Sequence, residues 1–150
     1  MIEAVFDTNV FLQAALSDTG PAFACWEFVE AGAVRVWITE DEFSELEDVL
    51  NRDRLRRRIN SAQTDRVSKI LELFRKHTSI VATPPSHYRL DRDIDDELYI
   101  NLAIQMNADF LVSRDRDLLD LTLESVFVSN FPNLRIVNPV TFLEILRTQK

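Results

Sequence analysis

The most constraining feature of this sequence is a recurrence of short apolar segments separated by longer stretches of helical character. "IEAVF" (2–6), "VRVWI" (34–38), "SIVA" (79–82), "FLVS" (110–113) and "LRIV" (134–137) have the length and composition of strands. A helix is predicted within 20–31. Another starts at "TEDEFSELEDVL", where Thr39 and Glu42 form a capping box and acidic residues suit the helix dipole. A third covers about 62–76, with Val67, Ile70, Leu71 and Phe74 on one face. "DDELYINLAIQM" (95–106) follows, with Asn107 as a left-handed stop, then a short helix near 117–121. Pro84-Pro85 enforces an extended loop, and Pro139 opens the closing helix "VTFLEIL". Strands alternating with helices predict a three-layer α/β/α sandwich with a central, mainly parallel sheet. Ligand sites in such folds lie at the carboxyl ends of the strands.

The chain has 150 residues, 46% of them apolar, enough for one domain with a real core. No apolar run reaches the length of a membrane span, and the amino terminus lacks a signal-peptide layout, so a cytoplasmic location is expected. Cys25, the only cysteine, rules out an intrachain disulfide or a cysteine-based zinc site and reads as a core residue. His77 and His87 read as solvent-facing, which leaves few candidates for a nucleophile–histidine system. The net charge of −8 argues against a broad electrostatic footprint for nucleic acid. It does not exclude a nucleic-acid enzyme, because divalent cations can neutralise carboxylates locally.

Carboxylates gather where the predicted strands end. Asp7 closes the first strand, too early to belong to a helix and too near buried residues for an ordinary surface charge. Asp115 and Asp117 follow "FLVS", and Asp95 and Asp96 open the helix before that strand. Clustered carboxylates repel one another, and a cation relieves them; all-oxygen ligands favour Mg²⁺ or Mn²⁺ over zinc. Each residue also has a plainer reading: Asp95 and Asp96 complement a helix dipole, and Asp117 caps a helix.

The stretches "VFDTNVFL", "ITEDEFSELEDVL", "RDIDDELYINLAIQMNADFLVSRDRDLL" and "RIVNPVTFLEIL", in that order over about residues 2–146, resemble a PIN domain. More narrowly they are similar to PIN-domain toxins of toxin–antitoxin pairs such as VapC. The resemblance implies a single PIN domain over 1–150. It carries the family's acidic positions onto Asp7, Glu45 (six residues past Thr39), Asp96 (three before Tyr99) and Asp115, with Asp117 as an auxiliary ligand. This chain has Ile94 where close relatives often have proline. Glu45 only borders the apolar arc of Phe43, Leu46 and Val49, whereas Glu42 falls inside it, so Glu42 stays an alternative.

The implied activity is cleavage of RNA phosphodiester bonds by a Mg²⁺- or Mn²⁺-dependent endoribonuclease. Asp7, Asp96, Asp115 and Asp117 would be metal ligands, and Glu45 would hold the metal or position water. Asn9 and Ser113 are candidates to hold the carboxylates in place. The implied partners are RNA, an antitoxin that sets Arg or Lys against Asp7, Asp96 and Asp115, and a second copy in a homodimer. The alternatives are a non-catalytic RNA-binding or protein-interaction module, or a metal-dependent DNA nuclease or phosphatase. "RDRLRRR" (52–58) reads as a solvated helix end, an RNA contact or a docking patch, and Arg114 and Arg116 either meet phosphate or neutralise neighbouring aspartates.

Overall fold

The computed structural model describes residues 1–52, 61–86, 88–89 and 94–149. Its strands are β1 (Ile2–Phe6), β2 (Val34–Thr39), β3 (Thr78–Val81), β4 (Phe110–Val112) and β5 (Arg135–Val137). The described helices are α1 (Thr8–Leu16), α2 (Pro21–Glu30), α3 (Glu40–Asn51), α4 (Ser61–His77), α5 (Ile94–Gln105), α6 (Arg116–Asp120), α7 (Ser125–Asn130) and α8 (Pro139–Thr148). A 3-10 turn, Leu121–Leu123, joins α6 to α7. The sheet order is β3-β2-β1-β4-β5, and every described pair is parallel. β1 is central, with β2 on one side and β4 on the other, so the topological switch point lies at its carboxyl end.

A parallel sheet needs cover on both faces, and alternation along β1 supplies it. Ala4 and Phe6 join one core cluster, with Trp26, Leu46, Phe74 and Phe142 from the helices. Val5 joins the other, with Ile100 and Leu102 of α5 and with Leu118, Phe127 and Ile136. In the first cluster Trp26 and Phe74 meet edge to face at 4.6 Å, and Phe11 and Phe74 at 5.1 Å. Full burial of each such side chain contributes about 2–3 kcal/mol. Cys25 lies fully inside this layer, where burial pushes its thiol up to about 12.

The local stops follow backbone chemistry. Asn107 has φ 54°, and the Ala108 and Asn107 amides donate to the Ala103 and Ile104 carbonyls, closing α5 with a Schellman motif. Thr39 caps α3 as expected, its hydroxyl oxygen accepting from the Glu42 amide at 3.1 Å.

The structure departs from the sequence reading in three places. Thr8–Leu16 is helical, so Asp7 is the N-cap of a helix that was not predicted. The Arg66 guanidinium completes that helix by donating to the Ala14 and Ala15 carbonyls at 3.0 and 2.7 Å. A further short helix, α7, was also not predicted. His77 is half-buried, its ring 6.4 Å from Trp26, because the last turn of α4 lies against α2. His87, Arg54, Arg56, Arg57, Arg58 and the side chain of Asp95 lie outside the described residues. No described helix is long and apolar enough to cross a membrane.

Candidate active site at the switch point

The register of the central strands brings the acidic segments together. Phe6 pairs with Val112, so Asp7 and Ser113 emerge side by side, and the Asp7 amide donates to the Val112 carbonyl at 3.0 Å. Val5 pairs with Trp37, and two further residues along each strand set Thr39 level with Asp7. The β1–α1, β2–α3 and β4–α6 junctions therefore open on one edge of the sheet.

Asp7 is only 4% exposed, and fixed donors hold it in place. The Asn9 amide donates to its Oδ1 at 2.8 Å, and the fully buried Ser113 hydroxyl donates to its Oδ2 at 2.8 Å. Ser113 Oγ in turn accepts from the Asp115 amide at 2.9 Å, and Asp115 Oδ1 accepts from the Asp117 amide at 2.8 Å as the N-cap of α6. One hydroxyl thus ties the first carboxylate to the turn that carries the next two. Asp7, Asn9, Arg114 and Asp115 line one cavity of about 270 Å³.

The second acidic wall comes from α3. Glu42 is buried, while Glu45 is exposed, and both line a small cavity with Thr39, Asp41, Thr83, Leu98 and Tyr99. Glu42 Oε1 accepts from the Thr39 hydroxyl at 2.9 Å, whereas the buried Oε2 has no hydrogen-bond partner. Burial is the main cause that pushes the Glu42 carboxyl up to about 7; the Thr39 hydrogen bonds oppose the rise, and the charges of Asp7 and Glu45 add to it.

Tyr99 is a component that sequence reasoning missed. Its hydroxyl meets Thr8 Oγ1 at 2.7 Å and accepts from the Thr8 amide at 3.3 Å, fixing α5 to the residue next to Asp7. Burial raises its phenol above the ordinary value, and Asp7 and Glu42 contribute. Asp96, 4% exposed, lies three residues before Tyr99 and so on the same face of α5.

Arg114 and Arg116 are exposed and form no ion pair or hydrogen bond with a described residue.

Among the described residues, no group of three acidic, histidine or cysteine side chains is placed to hold a metal ion. The donor chemistry nevertheless fits a hard divalent cation. The available donors are carboxylate oxygens, and Asp7 and Asp115 face one cavity.

A PIN domain family model matches residues 3–117. The chain belongs to the PIN domain family. The uncharacterised protein MJ1680 of Methanocaldococcus jannaschii is 26% identical over 144 residues, covering 95% of this chain and 90% of its own length. Among solved structures, a chain of VapBC2 from Rickettsia felis, bound to a DNA fragment from its promoter, aligns with a TM-score of 0.55 at 14% identity. That alignment covers 91% of this chain and 98% of the other, so the PIN-like fold is shared along nearly the whole length.

Proposed function

We propose that this PIN domain is a Mg²⁺- or Mn²⁺-dependent endoribonuclease, acting in the cytoplasm as the toxin of a toxin–antitoxin pair. The observation that carries the reading is the buried Asp7–Ser113 pair, tied through Ser113 to Asp115, at the switch point of the sheet. Membership of the PIN family supports nuclease chemistry, and the fold likeness to VapBC2 supports an antitoxin partner. The antitoxin would set Arg or Lys against Asp7, Asp96 and Asp115, and a homodimer is the proposed assembly.

In this mechanism Asp7, Asp96 and Asp115 hold the cation, with Asp117 as an auxiliary ligand. When bound, the ion supplies activation of a water and neutralisation of charge on the phosphate oxygens. The chain's own residues prepare the site. Ser113 and the Asn9 amide fix the Asp7 carboxylate in one orientation, and Tyr99 anchors the α5 turn that presents Asp96. Glu45, exposed on the cavity wall, holds the metal or orients water, while Glu42 near neutral pH holds a proton that limits the repulsion around Asp7.

The test is Asp7→Asn. The variant should keep its fold by circular dichroism and lose at least about a hundredfold in RNA cleavage with Mg²⁺ or Mn²⁺. A folded Asp7→Asn protein that cleaves RNA at the wild-type rate sinks the proposal.

A further inference from the structure

The acidic cleft has two unlike flanks. On one side stands α3, whose first turn carries Glu40, Asp41 and Glu42, with Glu45 next along the cavity wall. A phosphodiester backbone on that side would meet like charge at short range. On the other side Arg114, which already lines the cavity of Asp7 and Asp115, also lines a groove of about 410 Å³ with Arg116, Asp120, Asn138 and Val140. Cleft and groove are therefore adjoining, with Arg114 as their shared wall.

The state of the two arginines decides what the groove can hold. Asp115 and Asp117 are their immediate neighbours in sequence, yet neither arginine forms an ion pair with a described residue. Their charge is not spent on those aspartates. The ten-residue helix α8 begins at the groove, adding the positive end of its dipole. Val140, 50% exposed, offers an apolar surface beside these charges. Asp120 is the one carboxylate among the described residues lining the groove. In a chain with net charge −8, two guanidinium groups that form no ion pair with a described residue, beside an acidic cleft, mark where a polyanion can lie.

We propose that the RNA strand leaves the cleft on one side only, its phosphodiester backbone lying in the groove of Arg114, Arg116, Asn138 and Val140. The proposal rests on the nuclease reading and adds to it a direction across the surface.

The experiment measures binding and cleavage separately. Fluorescence anisotropy of a short single-stranded RNA, recorded over a salt series in EDTA, reads binding without turnover. Arg114→Ala/Arg116→Ala should bind at least about tenfold more weakly at low salt, and its log–log salt slope should be shallower by about 1.4, roughly 0.7 for each lost phosphate contact. Both side chains are exposed, so the variant should fold, and circular dichroism checks this. In the presence of Mn²⁺, oligonucleotide cleavage should fall in the variant, and wild-type hydrolysis of bis(p-nitrophenyl) phosphate, which has no strand to guide, reads the cleft by itself. Wild-type protein that does not bind RNA in EDTA, or a variant with an unchanged slope, overturns the groove assignment. Wild-type protein that shows the slope difference but hydrolyses neither substrate overturns the nuclease reading and leaves the groove standing.

Discussion

Glu42 makes the stability of this protein depend on pH in a direction opposite to that of most carboxylates. Its carboxyl rises from an ordinary 4.5 to about 7 in the folded chain, chiefly through burial. Between those values the folded protein binds more protons than the unfolded chain, so stability falls as pH rises. Below about pH 4.5 both states are protonated and there is no penalty; above about pH 7 both are ionised and the penalty is complete. A displacement of that size corresponds to about 3 kcal/mol. Glu42→Gln removes the titration and keeps the shape. Its amide oxygen can still accept from the Thr39 hydroxyl, and its NH₂ replaces the oxygen that has no hydrogen-bond partner. Urea denaturation in EDTA at about pH 5 and about pH 8 checks the reasoning. The variant should be more stable than wild type by roughly 2–3 kcal/mol at the higher pH and by less than about 1 kcal/mol at the lower. That gain raises the melting temperature by roughly 2–4 °C per kcal/mol for a domain of this size. Parallel stability profiles for the two proteins would refute the assignment of this charge penalty to Glu42.

Ser113→Ala removes a fully buried hydroxyl that serves Asp7 Oδ2 and the Asp115 amide at once. It should destabilise the fold by about 2–4 kcal/mol in chemical denaturation and slow RNA cleavage as Asp7 loses its fixed orientation; a loss under about 0.5 kcal/mol would contradict the shared-hydroxyl account. Asn107→Val puts a β-branched side chain at φ 54° and should cost about 1–2 kcal/mol in the same assay, whereas Asn107→Gly should be neutral or stabilising.

The sheet was legible because its strands are apolar, short and bounded by strong turn signals. Parallel pairing then followed from the helix-length segments between them. The start of α3 was legible because Thr39 and Glu42 are a local pair, and the stop of α5 because Asn107 tolerates the left-handed region. Helix α1 was not predicted because Asp7 was read as a charge ending a strand, although Asp followed by Val10, Phe11, Ala14 and Ala15 on one face is also a capped amphipathic helix. Helix α7 is six residues long, with Val126 and Val128 in it, and periodicity over so short a window decides nothing. Tyr99 entered the sequence reading only as the position three residues after Asp96. Its hydroxyl contact with Thr8 spans 91 residues of chain, and no local pattern reveals it.

Asp7 shows why the plain and the functional readings of a strand-end carboxylate are not rivals. Asp7 caps α1 with Oδ1 and accepts from Ser113 with Oδ2. Those same bonds fix its direction, which a ligand or a catalytic group requires in any case. Glu42 and Glu45 separate differently. The resemblance to the PIN family selected Glu45, and the helical wheel had Glu42 inside the apolar arc; the structure buries Glu42 and leaves Glu45 exposed on the same cavity. Burial makes Glu42 costly to ionise and exposure keeps Glu45 solvated, so two carboxyls one turn apart on a single helix suit different tasks. Burial beside the charge of Asp7 makes the inner one resist ionisation, and the outer one lines the cavity in contact with solvent.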